Sequence, residues 1–225
     1  MGKAPGVSPF AAAGRLLFFA AFLANKCSTK NRVNIFWTVY WGDFLRTDAV
    51  NDDVMRGLLM ALTPANRLAV LVSMTTGLRI GDVLAIKTAQ VQKGKFGVVE
   101  QKTGKRRQVR LSAALQQQIL GTCAGKVWAF PGRLHPHTEH RTRQAVYKDL
   151  RRAADLFRLP AGLVVAPHSA RKIYAVREYR RTCDIRHVQR LLNHSSEAVT
   201  ILYAMADQIT ARHLTDKQQG KVGGI

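Results

Sequence analysis

The sequence predicts a mainly α-helical chain carrying one small antiparallel β-sheet, an α+β class. Apolar residues recur at helical spacing through most of the chain, between residues that start and stop helices. Between residues 92 and 111 the pattern changes to short alternating runs around Lys102-Thr103-Gly104-Lys105. A hydrophobic content of 47% over 225 residues is enough for a packed core in one or two domains.

Residues 1–50 read as two helices, the first within 10–26 and the second over about 32–46. Phe36, Trp37, Tyr40, Trp41 and Phe44 share a face of the second. Such a stripe is core more often than a nucleic-acid contact. Arg15 interrupts the apolar run 10–24, and fifteen residues are too few for a roughly 30 Å hydrocarbon core, so no membrane span is expected. The chain is therefore expected to divide into a short helical segment, 1–50, and a larger domain, 51–225.

Within the larger domain, 54–62 forms a helix behind a break at 51–53. Thr63 and Pro64 restart one, with Thr as N-cap and Pro in the first turn. That helix ends at Gly77, and Arg79 follows at the junction with Asp82 three residues on, placed to orient it. Strands are expected over 96–101 and 108–111, joined by a tight turn at Gly104. Arg106, Arg107 and Arg110, with Lys105, make this hairpin a basic finger. Ser112 caps a helix through Leu120, and 127–132 reads as a short strand and turn. His135, His137 and His140 follow, with Cys123 upstream, but their spacing matches no common zinc pattern and a polar loop is expected. Thr138 is expected to cap a helix that buries Val146, Leu150 and Phe157 and turns Arg143, Arg151 and Arg152 outward.

The formal charge of +21 predicts a polyanionic partner, most simply nucleic acid. Residues 141–190 hold thirteen Lys/Arg against four Asp/Glu, nearly half of the excess. Cys27, Cys123 and Cys183 are scattered and odd in number, so no disulfide framework follows and a reducing cytoplasm is expected. The fourteen acids are dispersed, so neither metal nor cofactor is expected.

The stretch 167–203 concentrates the chemistry. His168 and Arg171 form an H-x-x-R pair, and Tyr203 follows His194 by nine residues. Arginine offers a fork that matches two phosphate oxygens, histidine moves a proton near neutral pH, and tyrosine carries a hydroxyl able to attack phosphorus. Ser169 is expected to cap a helix from Ala170, Asp184 to cap one over 185–192 that ends at Asn193, and Ser195 and Ser196 to open a third that carries Tyr203.

HSARKIYA, DIRHVQRLLNHSS and Tyr203, with TTGLRIGDVLAI around Arg79 upstream, resemble the signature boxes of the tyrosine recombinases, the phage integrase family. The resemblance covers roughly 52–210. It implies that family's catalytic-domain fold and a site-specific recombinase that acts without metal or ATP. It implies Arg79, Arg171 and His194 on the scissile phosphate, Tyr203 as nucleophile, His168 as base and Lys102 as acid, with Lys105 the rival lysine. Double-stranded DNA would lie against Lys105, Arg106, Arg107, Arg110, Arg143, Arg151, Arg152 and Lys172. A tetramer on DNA, nucleoid-associated in the cytoplasm, would follow, with 208–217 as a helix for a neighbouring protomer. Members usually carry a separate DNA-clamping N-terminal domain, so 1–50 is expected to be an abbreviated or truncated one. Two alternatives share the boxes: a catalytically inert DNA-binding protein and a type IB topoisomerase-like relaxing enzyme. A general basic RNA-binding protein would have no use for Tyr203.

Overall fold

The computed structural model describes residues 50, 52–159, 163–194, 200 and 203–205, all within the unit Asp43–Ile225. The expected helices of 1–50, the cap at Ser195 and Ser196 and the helix at 208–217 lie outside the described residues.

Helix α1 spans Asp52–Met60, with Asp52 and Asp53 in its first turn, where they suit the positive end of the helix dipole. Helix α2 spans Pro64–Thr76, with Thr63 as N-cap and Pro64 opening the first turn. The Thr63 hydroxyl does not cap. It donates to Asp149 Oδ2 at 2.9 Å, and the Thr63 N–H and Asn66 Nδ2 donate to the same oxygen at 2.9 and 2.8 Å. Burial alone would raise the Asp149 pKa, but the donors Asn66, Thr63 and Arg152 outweigh it and hold it low. One carboxylate thus fastens the start of α2 to the helix that carries it.

Gly77 closes α2 in the left-handed region at φ 69°. A short helix α3, Ile80–Leu84, follows directly, with Arg79 at its N-cap. Helix α4 spans Thr88–Lys93. Strands β1, Lys95–Val99, and β2, Arg106–Arg110, pair antiparallel with Lys95 opposite Arg110 and Val99 opposite Arg106. Both strands sit slightly earlier than the alternation predicts. The turn between them closes by a bond from the Gly104 N–H to the Glu100 carbonyl at 2.8 Å.

Helix α5, Ala113–Thr122, starts where Ser112 Oγ accepts from the Leu115 N–H, as expected. In 127–132 the chain makes only isolated bridges, Lys87 with Trp128 and Pro131 with His140. Helix α6 spans Arg143–Leu156, and its cap is Thr142, not Thr138. Val146 and Leu150 are buried, but Phe157 stays 48% exposed because the helix has ended before it.

Helix α7, Pro167–Thr182, begins three residues before the expected start at Ala170. Its N-cap is Ala166, and Ser169, expected as the cap, sits in the first turn with Oγ accepting from the Ala166 N–H at 3.3 Å. Helix α8, Ile185–Leu192, has the predicted Asp184 cap and the predicted left-handed Asn193 at φ 52°. Cys183 closes α7 in the left-handed region at φ 50°.

The core gathers Leu58, Leu68, Val72, Leu84, Phe130 and Leu150 from four helices and one loop. Helix α7 runs through it with Ser169 to Val176 all buried. A helix buried on every side is a central one. Tyr174 on α7 lies against Gly77, where an added Cβ would stand 2.3 Å from the ring. Gly77→Ala therefore combines a left-handed backbone with a steric clash. The backbone term is on the order of 1–3 kcal/mol, or a midpoint lower by at least about 2 °C in a thermal melt. A melt matching the parent's would show that the turn adjusts freely.

Candidate active site

The site is assembled from four places: the α2–α3 junction, the β1–β2 turn, the first turns of α7 and the segment after α8. Arg171 reaches across the first and last. It is 1% exposed, and its Nη1 donates to the Gly77 carbonyl at 2.6 Å while Nη2 donates to the Leu192 carbonyl at 2.5 Å. Its Nε is buried with no hydrogen-bond partner. Burial, and then the charge of Arg79, push its pKa down to about 10.

Arg79 is held by Glu100, which follows β1 directly. Arg79 Nη1 donates to Glu100 Oε2 at 2.5 Å, and the Glu100 side chain is fully buried. The same oxygen accepts from the Thr103 hydroxyl at 3.0 Å, and Oε1 accepts from Asn193 Nδ2 at 3.3 Å. Burial would raise the Glu100 pKa, but Arg171 and Arg79 outweigh it and keep the carboxylate ionised. Asp82, expected to orient Arg79, has another task. Its Oδ1 accepts from the Gln101 N–H at 2.9 Å, so it pins the start of the hairpin turn. Burial raises its pKa.

Tyr203 is brought to both histidines. Its ring centroid lies 4.9 Å from His194 and 6.5 Å from His168, both edge-on. The His194 Nδ1 faces Thr200 Oγ1 at 3.2 Å. Burial raises the Tyr203 pKa against the opposing charges of Arg171 and Arg79. Both histidine pKa values fall to about 4. For His194 the causes are burial, then Arg171 and Arg79. For His168 they are burial by its neighbours, although part of the residue is still exposed, then Arg171, Lys172, Arg79 and Lys102. Both imidazoles are therefore neutral near pH 7.

The remaining basic residues divide. Lys102, Lys105, Arg106 and Arg110 are exposed on the hairpin, and Arg143 is exposed beside Gly81. Arg151 is half-buried, and Arg152 is spent on the Ala61 carbonyl at 3.1 Å and Asp149 Oδ1 at 2.6 Å. Two expected surface cations turn inward. Arg107 donates to the Thr76 carbonyl and lies 6.0 Å from the Tyr174 ring centroid. Alternation along β2 dictates this, since Arg107 shares the inner face with buried Val109. Lys172 is 2% exposed, with Nζ 5.9 Å from the Tyr203 ring centroid, because this part of α7 is enclosed on all sides.

The residue the sequence analysis missed is Glu100. Its signal was its isolation: it is the sole acid between Asp82 and Glu139, set in a basic hairpin. Among the described residues no group of His, Cys, Asp and Glu could hold a metal ion, and no helix is long and apolar enough to cross a membrane. Cys123 offers its thiol to the Ile119 and Ala129 carbonyls, and burial pushes its pKa up to about 11.

Comparison with known proteins identifies the family and the fold. The model of the phage integrase family matches residues 50–209, more than two thirds of the chain. The chain belongs to the phage integrase family. It is 32% identical over 143 residues to the "Probable integrase/recombinase YoeC" of Bacillus subtilis, covering 61% of this chain and 75% of that protein. It is 28% identical over 157 residues to tyrosine recombinase XerA of Pyrococcus furiosus, covering 67% of this chain and 52% of that one. It thus spans three quarters of the first relative and about half of the second. The fold resembles that of lambda integrase (75–356), solved as a dimer bound to a COC' core site, with a TM-score of 0.59 at 18% identity over 87% of this chain and 70% of that one. The expected recombinase catalytic-domain fold, helix-rich with a two-stranded antiparallel sheet, is the observed one.

The histidine pKa values set a pH dependence. A histidine at about 4 in the folded chain and about 6.5 in the unfolded chain makes the unfolded state bind more protons between those values. Stability is full above about pH 6.5 and falls as the pH drops towards 4. NMR titration should find both imidazoles neutral at pH 5.5. His194→Asn should flatten the loss of denaturation midpoint between pH 7 and 5. A His194 that titrates at its ordinary value would contradict the burial described.

Proposed function

We propose that this chain is a site-specific DNA recombinase that cuts and rejoins DNA through a 3′-phosphotyrosyl intermediate. The approach of Tyr203 to His194, at 4.9 Å between ring centroids and beside Arg171, carries this reading. In the cleavage step the Tyr203 oxygen attacks the scissile phosphorus, and the bond from phosphorus to the 5′ oxygen breaks. His168, neutral at pH 7, accepts the phenol proton. Lys102 protonates the departing 5′ oxygen. Its charge is among those felt at His168, which supports it over Lys105. Negative charge on the non-bridging oxygens meets Arg79, Arg171 and His194, as preorganised donors require. The unpartnered Arg171 Nε supports this, since a buried donor without an acceptor is costly and a phosphate oxygen would satisfy it. The ester stores the bond energy, so rejoining is the reverse attack by a 5′ hydroxyl. The donors that would meet the phosphate are side chains, so no cofactor or metal enters this scheme.

Residues 51–225 would be the catalytic domain, with 1–50 a short accompanying segment. Duplex DNA would lie against the hairpin cations Lys105, Arg106 and Arg110 and against Arg143 and Arg151. Exchange between two duplexes needs a cut in each of four strands, which supports a tetramer on DNA.

A suicide DNA substrate followed by a denaturing gel tests the reading. The parent chain should form a covalent adduct, and Tyr203→Phe should form none while its DNA affinity stays within a few-fold. Binding without adduct would instead favour an inert DNA-binding protein. Arg79→Lys or Arg171→Lys keeps charge but loses the fork, and single-turnover cleavage should slow by on the order of 10²-fold. Lys102→Ala should be slow on ordinary DNA and largely rescued on a 5′-bridging phosphorothioate, whose thiol leaves without a proton. Rescue of Lys105→Ala in its place would reassign the acid.

A further inference from the structure

We propose that Glu100 is the positioning residue of this site, aligning Arg79 for the phosphate and setting the turn that carries Lys102. The inference rests on the recombinase reading and names a residue that acts only through others.

Three hydrogen bonds converge on this carboxylate, from three separate chain segments. One comes from Arg79 itself, at 2.5 Å. One comes from Thr103, the residue after Lys102, at 3.0 Å. One comes from Asn193, the residue before His194, at 3.3 Å. Each donor is, or directly adjoins, a residue with a proposed part in catalysis. Backbone bonds reinforce the hairpin link, since the Glu100 carbonyl accepts from the Thr103 N–H at 3.3 Å and the Gly104 N–H at 2.8 Å. Asp82 accepts from the Gln101 N–H. The residues flanking Lys102, Gln101 and Thr103, are therefore each held by a carboxylate.

Glu100 has no surface of its own to meet DNA, being 0% exposed. A fully buried carboxylate is stable only when cations and donors surround it. Those here are Arg79, Thr103 and Asn193, with the nearby charge of Arg171. Glu100 uses one nitrogen of the Arg79 fork, which anchors one end of the guanidinium and leaves its other donors for an incoming phosphate. A shift of about 1 Å in such a group can cost on the order of 10²-fold in rate.

The experiment is a double-mutant cycle in single-turnover cleavage with enzyme in excess, scored beside DNA affinity. Glu100→Gln keeps the shape but presents an amide to three donors. It should slow cleavage by at least about tenfold while the Kd for DNA changes less than about threefold. In an Arg79→Ala background the same change should add less than about threefold, because the residue it positions is gone. Full additivity of the two changes, or an undiminished rate in Glu100→Gln, would overturn the inference. Should Glu100→Gln fail to fold, Thr103→Val cuts the turn's side-chain link and leaves the Arg79 pair in place. It should slow cleavage of ordinary DNA and recover on the 5′-bridging phosphorothioate. A Thr103→Val defect equal on both substrates would also overturn the inference. A parent chain that forms no Tyr203 adduct would overturn the recombinase reading and this inference with it. An adduct formed at full rate by Glu100→Gln would remove the inference alone.

Discussion

Two buried opposite charges hold the site together. Arg171 and Glu100 are both out of solvent, at 1% and 0% exposure. Moving an ion out of water costs several kcal/mol even after relaxation, so each must be almost completely partnered. Arg171 takes the carbonyls of Gly77 and Leu192, and Glu100 takes Arg79 and Asn193. Gly77 and Arg79 belong to one junction, and Leu192 and Asn193 to one helix end. The same two segments are thus stapled twice, once by a cation and once by an anion. Removing either ion would leave the other short of compensation, so the arrangement forms as a unit.

Helix α7 supplies the platform for this unit. Its enclosure explains why Arg171 and Lys172 are interior although a charged pair on a helix is ordinarily solvated. Tyr174, three residues on from Arg171, closes over Gly77 and also receives the Arg107 guanidinium from β2. The hairpin is tied to α7 through Arg107 and to the α2–α3 junction through Glu100 and Asp82. Its exposed cations, Arg106 and Arg110, are presented from a base that these inward contacts fix. A basic finger with no inward arginine would have more charge for a polyanion and less definition of where that charge lies.

What the sequence revealed follows from range. Elements and caps set by neighbours along the chain were legible: Pro64, Gly77, Ser112, Asp184 and Asn193 all stand where local chemistry puts them. The motif residues were legible through their spacing, and the structure brings His168, His194 and Tyr203 together. Long-range choices were not. The carboxylate that takes Arg79 is 21 residues away, while the nearer Asp82 is drawn off by the Gln101 N–H. Thr142 displaces Thr138 as the cap of α6 because the segment before it is held by the Pro131–His140 bridge. Lys172 and Arg107 misled for the same reason, since composition counts a cation as surface whatever the packing around it.

The electrostatics of the unit give it a direction. Arg79 and Arg171 depress each other's neighbours: the pKa of Arg171 and those of both histidines fall, with burial the first cause and cationic charge the next. Glu100 is the nearby anion that opposes this, and its charge is already shared among three donors. The site is therefore cationic in excess, partly dehydrated, and holds a donor, Arg171 Nε, with no acceptor. Each of these terms would be relieved by one group, a negatively charged oxygen compound small enough to enter between Arg79, Arg171 and the Tyr203 ring. A phosphodiester has that charge, and its two non-bridging oxygens suit two arginine forks. Its arrival would lift the histidine pKa values back towards neutrality, so that proton transfer becomes easiest only when the bond to be broken is in place.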